Sequence, residues 1–163
     1  MRYPQDPRNA QDALRPPHAM RRFFAAAGLA LAGVATAADF RSVGDNAVVL
    51  YDAPSRAATP LFVASRFYPL EVIVNLEAWV KVRDHTGALS WIERRALAER
   101  RMLIVTAPLA AVRARAEEGA PVLFNAQQNV ALELAEVGAG GWLRVRHADG
   151  ASGFVRASEV WGI

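Results

Sequence analysis

The 163-residue chain contains no cysteine. Disulfide bonds, thiolate metal sites and cysteine nucleophiles are therefore excluded. Any small domain in this chain has to be stabilised by hydrophobic burial without a covalent cross-link. Because 53% of the residues are hydrophobic and 21% are charged, the composition is that of a folded protein that buries a core.

Beyond its first 37 residues the chain also lacks an excess of positive charge. Residues 1–37 contain five arginines and two acids, which accounts for the whole net charge of +3, whereas from Ala38 onward 14 Lys and Arg face 14 Asp and Glu. Proteins that bind nucleic acids carry a concentrated basic surface that neutralises phosphates. We therefore expect no nucleic-acid partner.

No apolar run is long enough to cross a bilayer comfortably, but a shorter one lies near the N-terminus. Residues 20–37 have a cationic start, an Ala- and Gly-rich apolar run and a small-x-small site, which together predict a secretory signal peptide cleaved after Ala37. A retained N-terminal anchor helix is the alternative. We expect a periplasmic or secreted mature protein that is not integral to the membrane. The polar stretch 1–19 fits no part of a signal, so we interpret Met20 as a possible true start.

The strongest pattern in the remaining chain is a β-hairpin, W-V-K-V-R-D-H-T-G-A-L-S-W-I, from Trp79 to Ile92. β-Branched residues alternate with polar ones on each side of a turn that ends at Gly87. The chain repeats this pattern as W-L-R-V-R-H-A-D-G-A-S-G-F-V from Trp142 to Val155, with matched residues 63 positions apart. The repeat predicts two copies of one structural unit.

Short apolar segments with turn signals between them predict five or six strands per copy and no long helix. We therefore predict an all-β protein of two tandem small barrels, over residues 38–98 and 102–163, that pack against each other. In the first copy, the alternation in residues 70–76 predicts a strand buried on both faces, including Ile73. Ala114 is expected to stand where the first copy has Tyr51, and an extra residue is expected just before Trp142.

The titratable residues do not form a recognisable catalytic or metal site. His85 and His147 fall at hairpin turns one position out of register, and such turn histidines are most often solvated. Glu71 and Glu133 occupy equivalent strand positions, which favours a shared structural role over a glycosidase pair. We expect no enzymatic activity, no metal and no cofactor.

The chain resembles the bacterial SH3-like (SH3b) family, in a tandem arrangement found in small proteobacterial envelope proteins. The resemblance rests on V-V-L-Y-D-A-P-S at residues 48–55, P-L-E-V at 69–72 and the two hairpins, and it covers nearly everything after the leader. It implies two small, strongly bent β-barrels. It also implies a module that binds cell-wall peptides, or that serves as a targeting or scaffolding unit beside hydrolases.

Aromatic residues are the candidates for ligand binding, because flat rings hold stiff extended peptides or stack on sugar faces. The alternative is that the tryptophans fill volume at the barrel ends. Phe67 is a further aromatic of the first copy that could line the same groove. The predicted groove residues of the first copy are Tyr51, Tyr68, Trp79 and Trp91, and their second-copy equivalents are Trp142 and Phe154.

Four arginines cluster at the junction of the copies, at positions 94, 95, 100 and 101. Such a cluster is expected to pair with nearby acids, or else to attract the carboxylates of peptide stems. The sequence thus predicts a non-catalytic exported protein that binds peptidoglycan or a peptide in the cell envelope. The alternative is a periplasmic scaffold or adaptor whose partner is another protein, and an uncharacterised hydrolase is disfavoured.

Overall fold

The computed structural model describes residues 38–163, so the predicted signal peptide and the stretch 1–19 lie outside the described residues. The described chain is all-β and forms two seven-stranded antiparallel sheets, one from each sequence copy. The prediction of an all-β protein with two tandem units is therefore confirmed. Within residues 38–163, no helix has the length and apolar character needed to cross a membrane.

The first sheet has the strand order β3-β2-β6-β5-β4-β1-β7. The hairpin of β5 and β6 therefore lies at its centre, between β2 and β4. A 3-10 turn over residues 94–96 precedes its last strand. The strands are β1 (Phe40–Val43), β2 (Val48–Tyr51), β3 (Pro60–Ala64), β4 (Pro69–Asn75), β5 (Trp79–Arg83), β6 (Leu89–Glu93) and β7 (Leu97–Ala98).

The second sheet has the same order, β10-β9-β13-β12-β11-β8-β14, which makes the repeat a repeat of topology as well as of sequence. It too has a 3-10 turn, at residues 157–159, before its last strand. The strands are β8 (Met102–Val105), β9 (Leu109–Arg113), β10 (Val122–Gln127), β11 (Ala131–Val137), β12 (Trp142–Arg146), β13 (Ser152–Arg156) and β14 (Val160–Trp161).

The predicted hairpin is formed by β5 and β6, which pair from Trp79 opposite Glu93 to Arg83 opposite Leu89. Val80 and Val82 are buried while the alternate side chains face outward, as the alternation predicts. Asp84 closes the turn, because its Oδ1 accepts hydrogen bonds from the Thr86 and Ala88 amides and from the Thr86 hydroxyl. This side chain fixes the register of the hairpin.

Each barrel has its own hydrophobic core. The first core is centred on Leu50, Leu70 and Ile92, and the second on Leu103 and Leu132. These five side chains are essentially fully buried. Because no disulfide cross-links either unit, these two apolar clusters carry the stabilisation of the barrels.

The prediction that residues 70–76 are buried on both faces is wrong. Ile73 and Val74 are each 41% exposed. The register of β4 against β5 passes from Val72 opposite Val82 to Val74 opposite Lys81, which leaves Ile73 as the extra residue of a β-bulge. A bulge shifts the alternation by one position and turns the strand end outward, so the apolar run after it no longer indicates a buried strand.

The structure also corrects the alignment of the two copies near Tyr51. Tyr51 pairs with Trp91, and in the second barrel Arg113 pairs with Phe154, so the equivalent of Tyr51 is Arg113 and not Ala114. The copies are offset by 62 positions up to β11 and by 63 from β12 onward. The extra residue lies in the 3-10 turn at residues 139–141 before Trp142, as predicted.

The two barrels pack against each other at the junction, as expected. The Phe40 ring of β1 meets the Trp161 ring of β14 edge-on, with centroids 5.0 Å apart. The Arg101 guanidinium lies 5.7 Å from the Phe40 ring centroid, and its Nη2 donates to the Gly162 carbonyl. Arg100 forms an ion pair with Glu133 across the junction. The linker arginines therefore bind one barrel to the other.

Candidate functional site

A cleft with a volume of about 670 Å³ lies on the first barrel. Its walls come from the β1–β2 turn, from β2, from the β2–β3 loop and from the 3-10 turn after β6. It combines one aromatic ring with charges of both signs. The residues that line it are Asp45, Asn46, Ala47, Val48, Val49, Tyr51, Arg56, Glu93, Arg95 and Ala96.

Three of the four predicted groove residues of the first barrel come together beside this cleft. Tyr51 pairs with Trp91 across β2 and β6, and its ring meets the Trp79 ring edge-on at 5.7 Å between centroids. The Lys81 amine lies 5.9 Å from the centroid of the Trp91 ring. Because Val80 and Ile92 point into the core, these rings occupy the outer face of the sheet. All three rings are partly exposed.

A bidentate ion pair lines the cleft. Arg56 in the β2–β3 loop donates from Nε and Nη2 to the Glu93 carboxylate at 2.5 and 2.8 Å. Arg95 donates to the same carboxylate at 2.7 Å. These hydrogen bonds, the one from Arg56 above all, lower the pKa of Glu93 to about 2, and Glu93 in turn raises the pKa of Arg56. The cleft therefore holds a fixed carboxylate between two cations over the whole neutral range.

Tyr68, the fourth predicted groove residue, does not join this group. Its hydroxyl lies 2.8 Å from the Nδ1 atom of His85 in the hairpin turn, and its ring packs against the first core. Burial, together with the nearby Asp84 carboxylate, raises the pKa of Tyr68 to about 12. His85 is thus half-buried and hydrogen-bonded, which differs from the solvated turn histidine that the sequence predicts.

The equivalent face of the second barrel is closed. Trp142 is only 4% exposed, because the Arg156 guanidinium lies 4.0 Å from its ring centroid. Arg156 also donates to the Gly140 carbonyl at 2.9 Å. Arg113 stands where the first barrel has Tyr51, and Phe154 is half-exposed beside it. The corresponding cleft has a volume of about 280 Å³, less than half that of the first.

The ion pair of the cleft is present in both barrels with its charges exchanged. The β2–β3 loop and the β9–β10 loop share their turn hydrogen bonds, among them Asp52 to Thr59 and Ala114 to Pro121. This match makes Glu118 the equivalent of Arg56. Glu118 accepts from Arg156 Nε at 2.7 Å, and Arg156 stands at the position of Glu93.

Glu71 and the histidine of the second hairpin turn have structural partners. Glu71 accepts two hydrogen bonds from Arg83 at 2.8 Å, as neighbours across β4 and β5. His147 Nδ1 lies 3.0 Å from Asp149, and hydrogen bonds from the Ala151 amide and from His147 lower the pKa of Asp149. Residues 38–163 contain no group of three or more His, Cys, Asp or Glu side chains placed to hold a metal ion.

Sequence reasoning singled out neither Arg56 nor Glu93 as site residues. Each lies next to a predicted strand in a stretch where charged residues are common, so single positions carry no signal. A comparison of the copies at the right offset would have found them, since it sets Arg against Glu at both positions. Such an exchange of opposite charges indicates a pair in contact.

Comparison with protein families identifies the family to which both barrels belong. The family described as "Bacterial SH3 domain" matches twice, over residues 44–99 and 106–162. The chain belongs to the bacterial SH3 domain family. Each match covers all but the first strand of one sheet, so the barrels are two bacterial SH3 domains in tandem. No match is found among curated proteins.

Solved structures to which the chain is similar include two from Trichomonas vaginalis. NlpC2 is 13% identical with a TM-score of 0.36, covering 77% of this chain and 48% of that one. NlpC1 is 14% identical with a TM-score of 0.36, covering 77% and 46%. An NlpC/P60 family protein from Bacillus cereus is 17% identical with a TM-score of 0.35, covering 75% and 55%. The chain spans about half the length of these proteins.

Proposed function

We propose that the protein is a non-catalytic binding protein of the cell envelope, and that its first SH3 domain holds an extended peptide, with the peptide part of peptidoglycan as the ligand. The observation that carries the proposal is the open cleft beside Tyr51, whose equivalent on the second barrel is covered by arginine. Of the two equivalent faces, only the one on the first barrel therefore leaves its aromatic cleft accessible to a ligand.

The chemistry of the open cleft suits a short peptide that bears charges. Tyr51 offers a flat ring, and Trp79 and Trp91 extend the aromatic surface along the sheet. Extended peptides lie across such rings with little loss of conformational entropy. Arg95 and Asp45 at the rim of the cleft add charges of both signs, which match the carboxylates and amines of a peptidoglycan stem.

The proposal of a non-enzymatic role rests on the absence of a cysteine nucleophile and on the partners that the two turn histidines contact. The sequence contains no cysteine, so a Cys–His hydrolase site is excluded. His85 is bound to Tyr68, and His147 lies beside Asp149 in an exposed turn. The proposal of a periplasmic or secreted location rests on the leader in residues 20–37.

Sedimentation with purified, insoluble sacculi tests binding. We expect the wild-type protein to pellet, and the substitutions Tyr51→Ala and Trp91→Ala to weaken its affinity about tenfold, the loss typical of a central aromatic contact. Phe154→Ala is the matched control, since Phe154 stands at the position of Trp91 on the closed barrel. Full recovery of the wild-type protein in the supernatant contradicts the proposal. An equal loss in the Phe154 variant contradicts the assignment to the first barrel.

A second candidate function, a scaffold for another envelope protein, is favoured by the sheet edges. The edge strand β3 exposes Leu61 and Val63 at 50% and 60%, and the edge strand β10 exposes Leu123 at 55%. Apolar edge strands are surfaces on which a partner strand pairs. Chemical crosslinking in cells distinguishes the candidates, because a scaffold gives a discrete protein adduct that Val63→Lys removes while sacculus binding is unchanged.

A further inference from the structure

A second cleft, with a volume of about 390 Å³, lies between the two barrels. It exists only because the barrels pack together, since the β3–β4 loop and the first hairpin form one wall and strands β8 and β11 form the other. It shares no residue with the cleft beside Tyr51. The residues that line it are Ser65, Arg66, Tyr68, His85, Ile104, Asn129 and Ala131.

The polar lining of this cleft consists mainly of hydrogen-bond donors. The Tyr68 hydroxyl lies 2.8 Å from Nδ1 of His85, and burial raises the pKa of Tyr68 to about 12, so the phenol keeps its proton across the neutral range. In the tautomer in which Nδ1 accepts from Tyr68, the imidazole donates from Nε2. The Asn129 amide and the Ser65 hydroxyl add further donors. Ala131, which is partly exposed, supplies a small apolar surface.

The cleft also has an uncompensated positive charge. Arg66 makes no ion pair with any residue in the described part of the chain, and no Asp or Glu of that part lines the cleft. The Asp84 carboxylate in the adjoining hairpin turn does not line the cleft, and its Oδ1 accepts three hydrogen bonds within that turn. One cation among neutral donors favours an anionic ligand.

The backbone beside Arg66 is strained. Phe67 has a φ of 72°, in the left-handed region, which a bulky residue adopts only with steric strain. Asn129 has a φ of 68° at the equivalent position, where an asparagine is well tolerated. The Phe67 ring lies 4.8 Å from Arg66 Cζ and 5.3 Å from Arg100 Cζ. The strained residue thus places an aromatic face beneath the arginine that borders the cleft.

We propose that the cleft between the barrels binds the terminal carboxylate of a short peptide whose last residue has a small aliphatic side chain. Arg66, His85 and Asn129 bind the carboxylate, and Ala131 contacts the small side chain. The site is independent of the cleft beside Tyr51, so it stands or falls separately from the proposed function.

The test uses N-acetyl-alanyl-alanine as the probe and its C-terminal carboxamide as the matched uncharged compound. Both are titrated into the full chain, and backbone amide shifts are followed by NMR. We expect the acid to shift the amides of Tyr68, His85 and Asn129, and the carboxamide to bind at least about tenfold more weakly, because charge-assisted hydrogen bonds are lost. Equal affinity for both compounds, or no shift at these residues, overturns the proposal.

Two substitutions sharpen the test without threatening the fold. Asn129→Asp keeps a residue that tolerates the left-handed backbone but adds a negative charge, and it is expected to weaken binding of the acid at least about tenfold. His85→Ala is expected to weaken it as well, whereas His147→Ala, in the equivalent hairpin turn outside the cleft, is expected to leave it unchanged. Wild-type affinity in the Asn129 variant contradicts the proposal. Sedimentation of the same variant with sacculi is expected to be unchanged, which separates the two sites.

Discussion

The two barrels follow the same backbone path, down to the hydrogen bonds of their loops, and differ in what covers one face. On the first barrel that face carries Tyr51 and an open cleft. On the second, Arg113 replaces the tyrosine and Arg156 lies over Trp142. A duplicated fold therefore constrains the core and the loops closely, while a few outward positions decide whether a surface can receive a ligand.

The largest expected effect tests whether the two cores are independent. Leu50→Ala removes a fully buried side chain from the first core and is expected to lower the free energy of unfolding by about 2–5 kcal/mol. Val112→Ala, at the equivalent position of the second core, removes less volume and is expected to cost about 2 kcal/mol. Urea unfolding measures both values. Amide exchange is expected to show lost protection mainly in the mutated barrel, and equal loss in both barrels contradicts separate cores.

A smaller effect is expected where the second barrel packs more tightly than the first. Gly153 stands at the position of Ser90, and a Cβ atom there would lie 2.6 Å from the Arg113 carbonyl oxygen and 2.8 Å from Val112 Cγ1. Gly153→Ser is therefore expected to destabilise the protein by about 1–3 kcal/mol. The reverse change, Ser90→Gly, is expected to cost about 0.5–1 kcal/mol. Thermal unfolding of the two variants measures the difference in stability. If Gly153→Ser leaves the stability unchanged, β9 does not pack against β13 as closely as these distances indicate.

Opening the closed face of the second barrel is expected to have a modest effect. Arg156→Ala removes the guanidinium that covers Trp142, at a cost of about 1 kcal/mol, and exposes the indole ring to water. Tryptophan emission is expected to shift to longer wavelength, and quenching by acrylamide is expected to increase. Arg115→Ala is the control, because Arg115 lies in the β9–β10 loop and pairs with Glu117, next to the Glu118 partner of Arg156. Unchanged quenching in the Arg156 variant shows that Trp142 is shielded by other groups.

The smallest effect concerns acid stability. The pKa of Glu93 is lowered in the folded state to about 2 from an ordinary value of 4.5. A carboxylate of this kind stabilises the fold above its unfolded pKa, and that contribution is lost as the pH falls from 4.5 toward 2. Arg56→Ala is expected to raise the pKa of Glu93 and to flatten this pH dependence. Carboxyl ¹³C titration measures the pKa, and an unchanged value shows that Arg95 alone holds the charge.

The sequence was sufficient to predict the repeat and the hairpins, because alternating burial and turn residues are local signals. It predicted the extra residue before Trp142, where Gly140 and Gly141 have φ values of 65° and 76°. It failed at Ile73, because a one-residue bulge reverses the alternation without a marker residue. It wrongly matched Ala114 with Tyr51. The offset between the copies changes from 62 to 63 positions within the repeat, and the strand pairs are needed to show which offset applies to β2 and β9.

The candidate site was predicted in part. Tyr51, Trp79 and Trp91 share the outer face of the first sheet, which follows from their strand positions. The contact of Tyr68 with His85 was not predicted, because it joins a loop to a hairpin turn 17 residues away. The ion pair of Arg56 with Glu93 spans 37 residues, and its partners are set by loop geometry rather than by any periodic pattern.

The exchanged charges of the loop ion pair bear on how the duplicated chain reaches its native state. Neighbouring repeats of similar sequence are prone to assemble with strands of the wrong copy. If the last hairpin of one copy joined the early strands of the other, Arg56 would face Arg156, and Glu93 would face Glu118. Like charges in contact disfavour both mispaired forms. The reversed polarity therefore distinguishes correct pairing from cross-pairing during refolding.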